Sequence, residues 1–272
     1  MRLHRLCFLI LPLLTLPAYA DSVTLASAAN FGVLGAAEQT NTGPTTINGD
    51  LGVYPGSSIT NTAGMTINGV FYAGGTTVPN DPGSALAQSD LTAAYLTAAG
   101  LASTQNLTGV DLGGLTLTPG VYNFTSAASL ATGDTLTLNF QGMSNAAIVF
   151  QIGSSLITGS GSSVVIENLG SNDEVIWQVG SSATLGTTTA FEGNILALTS
   201  IALDTGANIG CGSALARNGA VTLDNNTITT GCNGASESAP PDNNPVPEPG
   251  SMTLLGSGLI ALARLVRRRR HS

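Results

Sequence analysis

The 272-residue chain contains no lysine, and its two histidines, His4 and His271, lie close to its ends. A proton shuttle at neutral pH or a histidine-ligated metal needs an imidazole in the folded body, so we expect no catalytic residue, metal or cofactor there. Between residues 21 and 245 the one basic side chain is Arg217, against 15 acidic residues, a formal charge of -14. This deficit of positive charge excludes nucleic acid and anionic membrane surfaces as partners.

The first 20 residues are typical of a secretory signal peptide. Arg2 and Arg5 precede an apolar run over residues 6–16, and Ala18-Tyr19-Ala20 forms a small-residue cleavage site. The run is shorter than the ~20 residues that a membrane-spanning helix needs. We therefore predict cleavage by signal peptidase, export across the inner membrane and a mature N-terminus at Asp21.

Residues 246–272 carry a second targeting signal. It consists of Val246-Pro247-Glu248-Pro249, an apolar span over residues 250–266, and the basic cluster Arg267, Arg268, Arg269 and Arg270. This order resembles the PEP-CTERM sorting signal of Gram-negative bacteria, which an exosortase removes. The resemblance implies transient membrane association through the tail, followed by secretion or display at the outer cell surface; a retained C-terminal anchor is the alternative. The Pro- and Asn-rich residues 239–245 are predicted to be a linker.

Two cysteines remain once the signal peptide is removed, namely Cys211 and Cys232. An even number of cysteines in an oxidising compartment predicts a disulfide between them. The alternative, a catalytic thiol, would need a base, and the mature body has no histidine to serve as one.

Residues 21–238 are predicted to form one all-β domain built as a solenoid. The segment at 150–155 (FQIGSS) recurs at 177–182 (WQVGSS), an offset of 27 residues, and the segment at 202–204 (ALD) is echoed at 222–224 (TLD), an offset of 20. Periods of this size indicate stacked coils. Short alternating strands separated by Gly, Asn, Asp and Ser also fit a β-sandwich, but the repeat spacing favours the solenoid.

One segment has helical rather than strand periodicity. We predict a helix over residues 84–99, with Ser84 as its N-cap and Gly100 just past its end. Its small apolar residues recur three or four positions apart, which predicts close packing along one side of the β body; they are Ala87, Leu91, Ala94, Tyr95 and Ala98.

Sequence blocks spread over most of the body resemble the bacterial and fungal ice-binding (antifreeze) protein family. They are the segments at 29–35 (ANFGVLG), 42–53 (TGPTTINGDLGV), 111–122 (DLGGLTLTPGVY), 149–153 (VFQIG), 193–197 (GNILA) and 214–223 (ALARNGAVTL). The resemblance implies a right-handed discontinuous parallel β-helix of triangular section with one long α-helix packed alongside. It also implies an extracellular protein that adsorbs to ice, or to ordered water, through a flat Thr-rich face.

A motif of that family, Thr, then Ala or Gly, then any residue, then Thr or Asn, occurs four times. Its outer positions are the candidate ice-contacting residues: Thr42 and Thr45, Thr132 and Thr135, Thr205 and Asn208, and Thr230 and Asn233. The same residue types also build tight corners, where glycine supports the turn and Thr or Asn caps it. Both interpretations stand at the level of the sequence.

Two other functions compete with ice binding. A non-enzymatic structural protein of the cell surface or biofilm matrix, associated with exopolysaccharide, fits the sorting signal. A β-helical polysaccharide lyase needs Arg or Lys as base or charge clamp, and Arg217 alone cannot fill both roles; we expect it instead to pair with Asp204 or Asp224. Asp173 and Glu174, the one adjacent acidic pair, would point to opposite faces of a strand. A glycosidase-type pair of carboxylates stays open, because their separation is a three-dimensional property, but with so few candidate groups we expect no enzyme.

Overall fold

The computed structural model describes residues 22–60, 64–72 and 83–231. The predicted signal peptide, the linker, the sorting signal, Cys232 and Asn233 lie outside the described residues. All described residues belong to one compact unit.

The strands of the described region form three parallel sheets, here called A, B and C and numbered in chain order. Sheet A contains, in spatial order, β7 (Phe71–Tyr72), β4 (Asp50–Val53), β1 (Phe31–Gly35), β22 (Ala214–Ala216), β19 (Asn194–Ala197), β16 (Glu174–Val179), β13 (Ala147–Ile152), β10 (Gly120–Phe124) and β8 (Gln105–Asn106). Sheet B contains β11 (Ala128–Leu130), β14 (Leu156–Thr158), β17 (Ala183–Leu185), β20 (Ile201–Leu203), β23 (Val221–Leu223), β2 (Glu38–Asn41) and β5 (Ser58–Ile59). Sheet C contains β6 (Met65–Ile67), β3 (Thr45–Asn48), β24 (Thr227–Thr229), β21 (Asn208–Cys211), β18 (Ala190–Glu192), β15 (Ser163–Glu167), β12 (Thr135–Asn139) and β9 (Thr116–Leu117).

Successive strands visit the three sheets in turn, so that three strands make one coil. The coil of β13, β14 and β15 is followed by the coil of β16, β17 and β18, and corresponding strands pair in parallel. Phe150 lies opposite Trp177 and Ala202 lies opposite Thr222, so the offsets of 27 and 20 residues are each one coil. The solenoid prediction is confirmed, and the sandwich alternative is wrong.

The order of coils in space differs from their order in the chain. Strands β1, β2 and β3 pair with β22, β23 and β24, so the first coil stacks on the last one. After β7 the chain enters helix α1 (Gly83–Gly100) and emerges to form β8, at the opposite end of sheet A. This arrangement is the discontinuous β-helix that the family resemblance implies, and the helix links its two ends.

The interior of the solenoid is a column of stacked side chains. Phe150 and Trp177 stack with ring centroids 3.8 Å apart and planes 4° from parallel. Tyr122, one coil away on sheet A, continues the stack at 5.7 Å, whereas Phe191 lies on sheet C and meets Trp177 at 5.0 Å with its ring tilted by 46°. Because identical coil positions repeat at the inter-strand spacing of ~4.8 Å, aromatic rings at equivalent positions meet face to face.

Helix α1 packs on the outer side of sheet A. All five residues of its predicted apolar stripe are buried, and they contact outward side chains of the sheet such as Val149, Ile176 and Leu196. The predicted ends need correction: the helix begins at Gly83, and Gly100 is its last residue. Ser84 does not cap it, since its hydroxyl donates to the Val53 carbonyl at 3.2 Å. No helix in the described part of the chain is long and apolar enough to cross a membrane.

Candidate functional site

Only two of the three sheets leave a face open to solvent. The outer face of sheet A is buried under α1 and a short 3₁₀ helix (Ala26–Asn30). Strands of sheets B and C instead alternate between buried and accessible residues. Any extended recognition surface must therefore lie on sheet B or sheet C.

Each three-residue strand of sheet B presents one outward side chain between two inward ones. In β23, for example, Val221 and Leu223 are buried and Thr222 is exposed. Strand pairing aligns these outward residues without a register shift. We call them the sheet B row; in spatial order they are Ser129, Ile157, Thr184, Ala202, Thr222 and Thr40. Thr60 extends the row beyond β5 and donates its hydroxyl to the Gln39 carbonyl at 3.4 Å. The row itself contains no charged side chain, but Asp111 lies opposite Ser129 at its end and accepts that hydroxyl at 2.7 Å, and Glu38 is exposed on β2 beside it.

Sheet C also carries a hydroxyl-rich row, but its face is less regular. Pairing aligns the outward residues Thr135, Ser163, Ala190, Asn208, Thr227, Thr46 and Thr66. Outside this row the strand pairing of sheet C is irregular. Strands β15 and β18 pair at a single position, and the register shifts between Phe191 and Glu192. Glu167 is exposed on this sheet, and burial raises the pKa of the half-buried Glu192 carboxyl.

Two of the predicted motifs lie at equivalent corners between sheets B and C. Thr132 and Thr205 follow strands of sheet B and are exposed, and Thr135 and Asn208 begin strands of sheet C. Their glycines, at positions 133 and 206, both have φ of +74°, the left-handed conformation that favours glycine. The Thr205 hydroxyl donates to the Asp224 carboxylate. These motifs build corners, and they also place threonines beside the sheet B row.

The motif that begins at Thr42 is displaced by one residue relative to those two. Thr42 itself is exposed, but Thr46, not Thr45, lies opposite Thr227 in sheet C. Thr45 is 1% exposed. Its hydroxyl donates to Asn41 Oδ1 at 2.8 Å and accepts a hydrogen bond from the Asn226 backbone amide at 3.2 Å. Because this hydroxyl lies inside the corner, Thr45 is removed from the candidate surface.

The fourth motif lies elsewhere. Thr230 follows β24 of sheet C rather than a strand of sheet B, and it donates to the Asn48 carbonyl at 3.1 Å. Its partner in the motif, Asn233, is outside the described residues. Thr230 is therefore not part of the corner that holds Thr132 and Thr205.

Buried polar side chains hold the corner between sheets B and C from within. The hydroxyls of Thr158 and Thr189 are hydrogen-bonded at 3.0 Å, and the Ser162 hydroxyl is hydrogen-bonded to that of Thr189 at 3.4 Å. In a later coil the side-chain amide of Asn226 donates to the backbone carbonyls of Asp204 and Ala207 at 3.0 and 2.7 Å. A satisfied internal network of this kind fixes the geometry of the surface outside it.

Sequence reasoning missed the sheet B row. Thr40, Thr184 and Thr222 belong to no motif: Thr184 and Thr222 are each the single outward residue of a three-residue strand, and Thr40 shares the outer face of β2 with Glu38. A signal for them was present: the 20-residue echo of Ala202 in Thr222 marks two equivalent coil positions that the register then aligns. Seeing that this position faces outward requires knowing that its two neighbours face the core.

The contacts of Arg217 differ from the predicted ones. Pairing with Asp204 or Asp224 is wrong: its guanidinium lies 4.4 Å from the Tyr95 ring centroid and its Nε donates to the Thr92 hydroxyl at 3.4 Å. Cys211 ends β21, and since Cys232 lies outside the described residues, the disulfide stays a prediction.

One acidic side chain occupies a cavity of about 470 Å³ beside the 3₁₀ helix. Glu174 accepts the Val23 amide at 2.5 Å, and burial raises the pKa of its carboxyl to about 7. Asn145, Asn172 and Asn194 also line the cavity. In the described part of the chain, no three His, Cys, Asp or Glu side chains converge to hold a metal ion.

Comparison with known proteins places these features in context. The family model described as ice-binding-like matches residues 33–229, and the model of the PEP-CTERM protein-sorting motif matches residues 245–270. The chain is 50% identical to an ice-binding protein of Nostoc sp., over 93% of this chain and 90% of the relative. It is 34% identical to an ice-binding protein of Flavobacterium frigoris, over 77% and 76%. The crystal structure of an ice-binding protein from an Antarctic biological consortium matches with a TM-score of 0.71 and 39% identity, covering 82% of this chain and 96% of that one.

Three parallel sheets, a helix along one of them and a first coil stacked on the last define a discontinuous β-helix with two open faces. The chain belongs to the ice-binding-like family and carries a PEP-CTERM sorting motif near its C-terminus. The relatives and the structure named above are described as ice-binding proteins rather than as enzymes.

Proposed function

We propose that this protein binds ice through the sheet B row, outside the cell. The observation that carries the proposal is the unbroken register of that row, which spaces its side chains at the ~4.8 Å separation of neighbouring strands. Threonine methyl and hydroxyl groups held at a fixed spacing can order water into an ice-like lattice. The family and the ice-binding relatives support this function.

Sheet B is preferred to sheet C because of charge and regularity. A carboxylate is strongly hydrated, and removing that water on contact with a solid surface costs free energy. Glu167 and Glu192 bring this cost to sheet C, where the register also shifts. The sheet B row keeps an unbroken register, and the carboxylates near it lie at its ends and margin: Asp111 opposite Ser129, Glu38 on β2, and Asp204 and Asp224.

The rigidity of the coil suits adsorption to a solid. Side chains that are already ordered lose little conformational freedom on binding, so more of the contact energy remains as affinity. The inward neighbours of Thr222 are packed in the core, and the adjoining corner is held by Asn226. Thr132 and Thr205, together with Thr42, extend the proposed surface at this corner, whereas Thr135 and Asn208 begin strands of sheet C and lie outside it.

Processing and location form the second part of the proposal. Signal peptidase removes residues 1–20, and an exosortase acts on the tail at residues 246–272 after a transient stay in the inner membrane of a Gram-negative bacterium. The match to the PEP-CTERM motif supports export to the surface or the medium. In that oxidising compartment we propose a disulfide between Cys211 and Cys232.

A matrix role remains the second candidate function, since the sorting motif supports placement at the cell surface. In this role the protein would associate with exopolysaccharide and need not touch ice. Binding to purified exopolysaccharide without inhibition of ice recrystallisation would favour it.

Two variants of the same coil test the proposed face. Thr222 lies on sheet B and Thr227 on sheet C, and both are exposed. We expect Thr222→Tyr to abolish most of the inhibition of ice recrystallisation, because the larger ring lifts the row off the ice. Thr227→Tyr should retain it. Loss in the sheet C variant alone would move the site to sheet C, and an inactive parent protein at micromolar concentration would refute ice binding.

A further inference from the structure

The only cation among the described residues makes no ion pair there. The Arg217 guanidinium lies over the face of the Tyr95 ring, and its Nε donates a hydrogen bond to the Thr92 hydroxyl. The two terminal nitrogens of the guanidinium keep their donors for another group. An unpaired arginine in so acidic a body points to a ligand rather than to an internal salt bridge.

Arg217 borders a recess of about 360 Å³ at the corner between sheets A and B. Asn218 lies beside it, and the opposite wall is small and apolar; the other lining residues are Ala36, Ala37, Pro55 and Gly56. Backbone hydrogen bonds fix this wall, since the amides of Ala36 and Ala37 both donate to the Gly219 carbonyl, at 2.9 and 3.0 Å. The recess therefore exists before any ligand arrives.

Hydroxyl groups continue from this recess along the same corner. The Gly-Ser-Ser repeats found in the sequence occupy it in earlier coils, followed by Thr199 and Ser200. The Ser182 and Thr199 hydroxyls lie 3.1 Å apart across neighbouring coils. Coil stacking thus produces a strip of hydroxyl groups, ~4.8 Å from one coil to the next, that ends at Arg217.

We propose that the Arg217 recess binds the carboxylate of an acidic sugar, with the rest of the saccharide lying along the hydroxyl strip. A guanidinium matches a carboxylate with two parallel hydrogen bonds. The Asn218 amide offers a donor and an acceptor to a sugar hydroxyl, and Pro55 and Ala37 offer an apolar wall to the C–H face of the ring. A sugar acid carries all three complementary features. This site is separate from the sheet B row, and it does not depend on ice binding.

The overall negative charge of the body opposes any anionic ligand. At physiological salt this repulsion is screened beyond ~8 Å, so the local contacts decide, and we expect weak, millimolar binding of a single sugar unit. A longer acidic chain should bind more tightly, because it also engages the hydroxyl strip.

The test uses the full chain labelled with ¹⁵N-arginine, titrated with D-galacturonate, D-galactose, acetate and inorganic phosphate. Arg217→Gln removes one arginine signal and so assigns it. We expect galacturonate to shift the Arg217 Nε signal and galactose to leave it unchanged. Acetate and phosphate should bind more weakly than galacturonate. Isothermal titration calorimetry, which needs no arginine signal, should show that Arg217→Gln weakens galacturonate binding at least about tenfold, the effect of losing a charge-assisted pair of hydrogen bonds.

Asn218→Ala keeps the proposal testable if the arginine variant fails to fold. This exposed substitution should weaken galacturonate binding and leave acetate binding unchanged. Phosphate binding as tight as galacturonate would indicate a general anion site and overturn the proposal. So would an equal response to galactose, or unchanged galacturonate binding in a folded Arg217→Gln protein.

Discussion

Replacing Glu174 with glutamine should make the protein more stable at alkaline pH and remove most of a pH dependence that the buried carboxyl causes. Glutamine keeps the shape of the side chain and the carbonyl oxygen that accepts the Val23 amide. It removes the negative charge that the cavity disfavours. The substitution therefore isolates the cost of ionising one group.

The size of this effect follows from the pKa. Burial raises the pKa of Glu174 from 4.5 to about 7. Each pKa unit corresponds to about 1.4 kcal/mol, so the upper bound is about 3 kcal/mol, and the part of the side chain that still meets water lowers the expectation to about 1–3 kcal/mol. The pKa of Glu174 is higher in the folded state than in the unfolded state, so the stability of the parent protein is greatest while this carboxyl is protonated. This part of the free energy of unfolding is fully present below pH 4.5 and is lost as the pH rises through about 7.

Urea unfolding measured at several pH values between about 4 and 8 tests this expectation. The parent and Glu174→Gln should have similar free energies of unfolding at the acidic end, and the variant should be the more stable at the alkaline end. Glu167→Gln, which neutralises an exposed glutamate on sheet C, controls for the change in net charge. Parallel pH profiles for the parent and Glu174→Gln would show that the cavity does not perturb this carboxyl.

Three further predictions test the packing. Thr45→Val should cost about 1–3 kcal/mol in urea unfolding, because it removes the buried hydroxyl that bonds Asn41 and the Asn226 backbone amide. It should not change recrystallisation inhibition, and a loss of that activity in a folded variant would contradict the internal role of Thr45. Gly193→Ala should lower the thermal midpoint far more than Gly114→Ala, since its new Cβ would lie 2.6 Å from the Trp177 indole nitrogen whereas that of Gly114 meets nothing; equal shifts would refute this. Leu91→Ala under the helix should cost about 2–5 kcal/mol, and Leu96→Ala, 60% exposed, should cost far less.

Local sequence patterns were sufficient to predict the coil and the helix. The recurrence of Phe150 as Trp177 gave the coil length because a solenoid places equivalent residues in register. The spacing of Leu91 and Tyr95 gave the buried side of α1 because helical geometry alone sets which residues share a face. The stacking of β1 on β22 involves residues far apart in the chain, so it was available only through the family resemblance.

The candidate site was harder to predict because direction and register decide it. Thr42 to Thr45 matches the same motif as Thr132 to Thr135, but a displacement of one residue turns the Thr45 hydroxyl into the corner. Arg217 lies only a few positions from Asp224 in the chain, yet it turns to α1, whose path a sequence pattern does not contain. The sheet B row likewise consists of single residues that stacking alone brings together.

The most direct test of the central claim is partition of the protein into slowly grown ice, measured on the full chain, Thr184→Tyr on sheet B and Thr227→Tyr on sheet C. The parent and the sheet C variant should be enriched in the ice fraction, and Thr184→Tyr should remain in the liquid. Exclusion of the parent from ice, or equal enrichment of all three proteins, would contradict ice binding through sheet B.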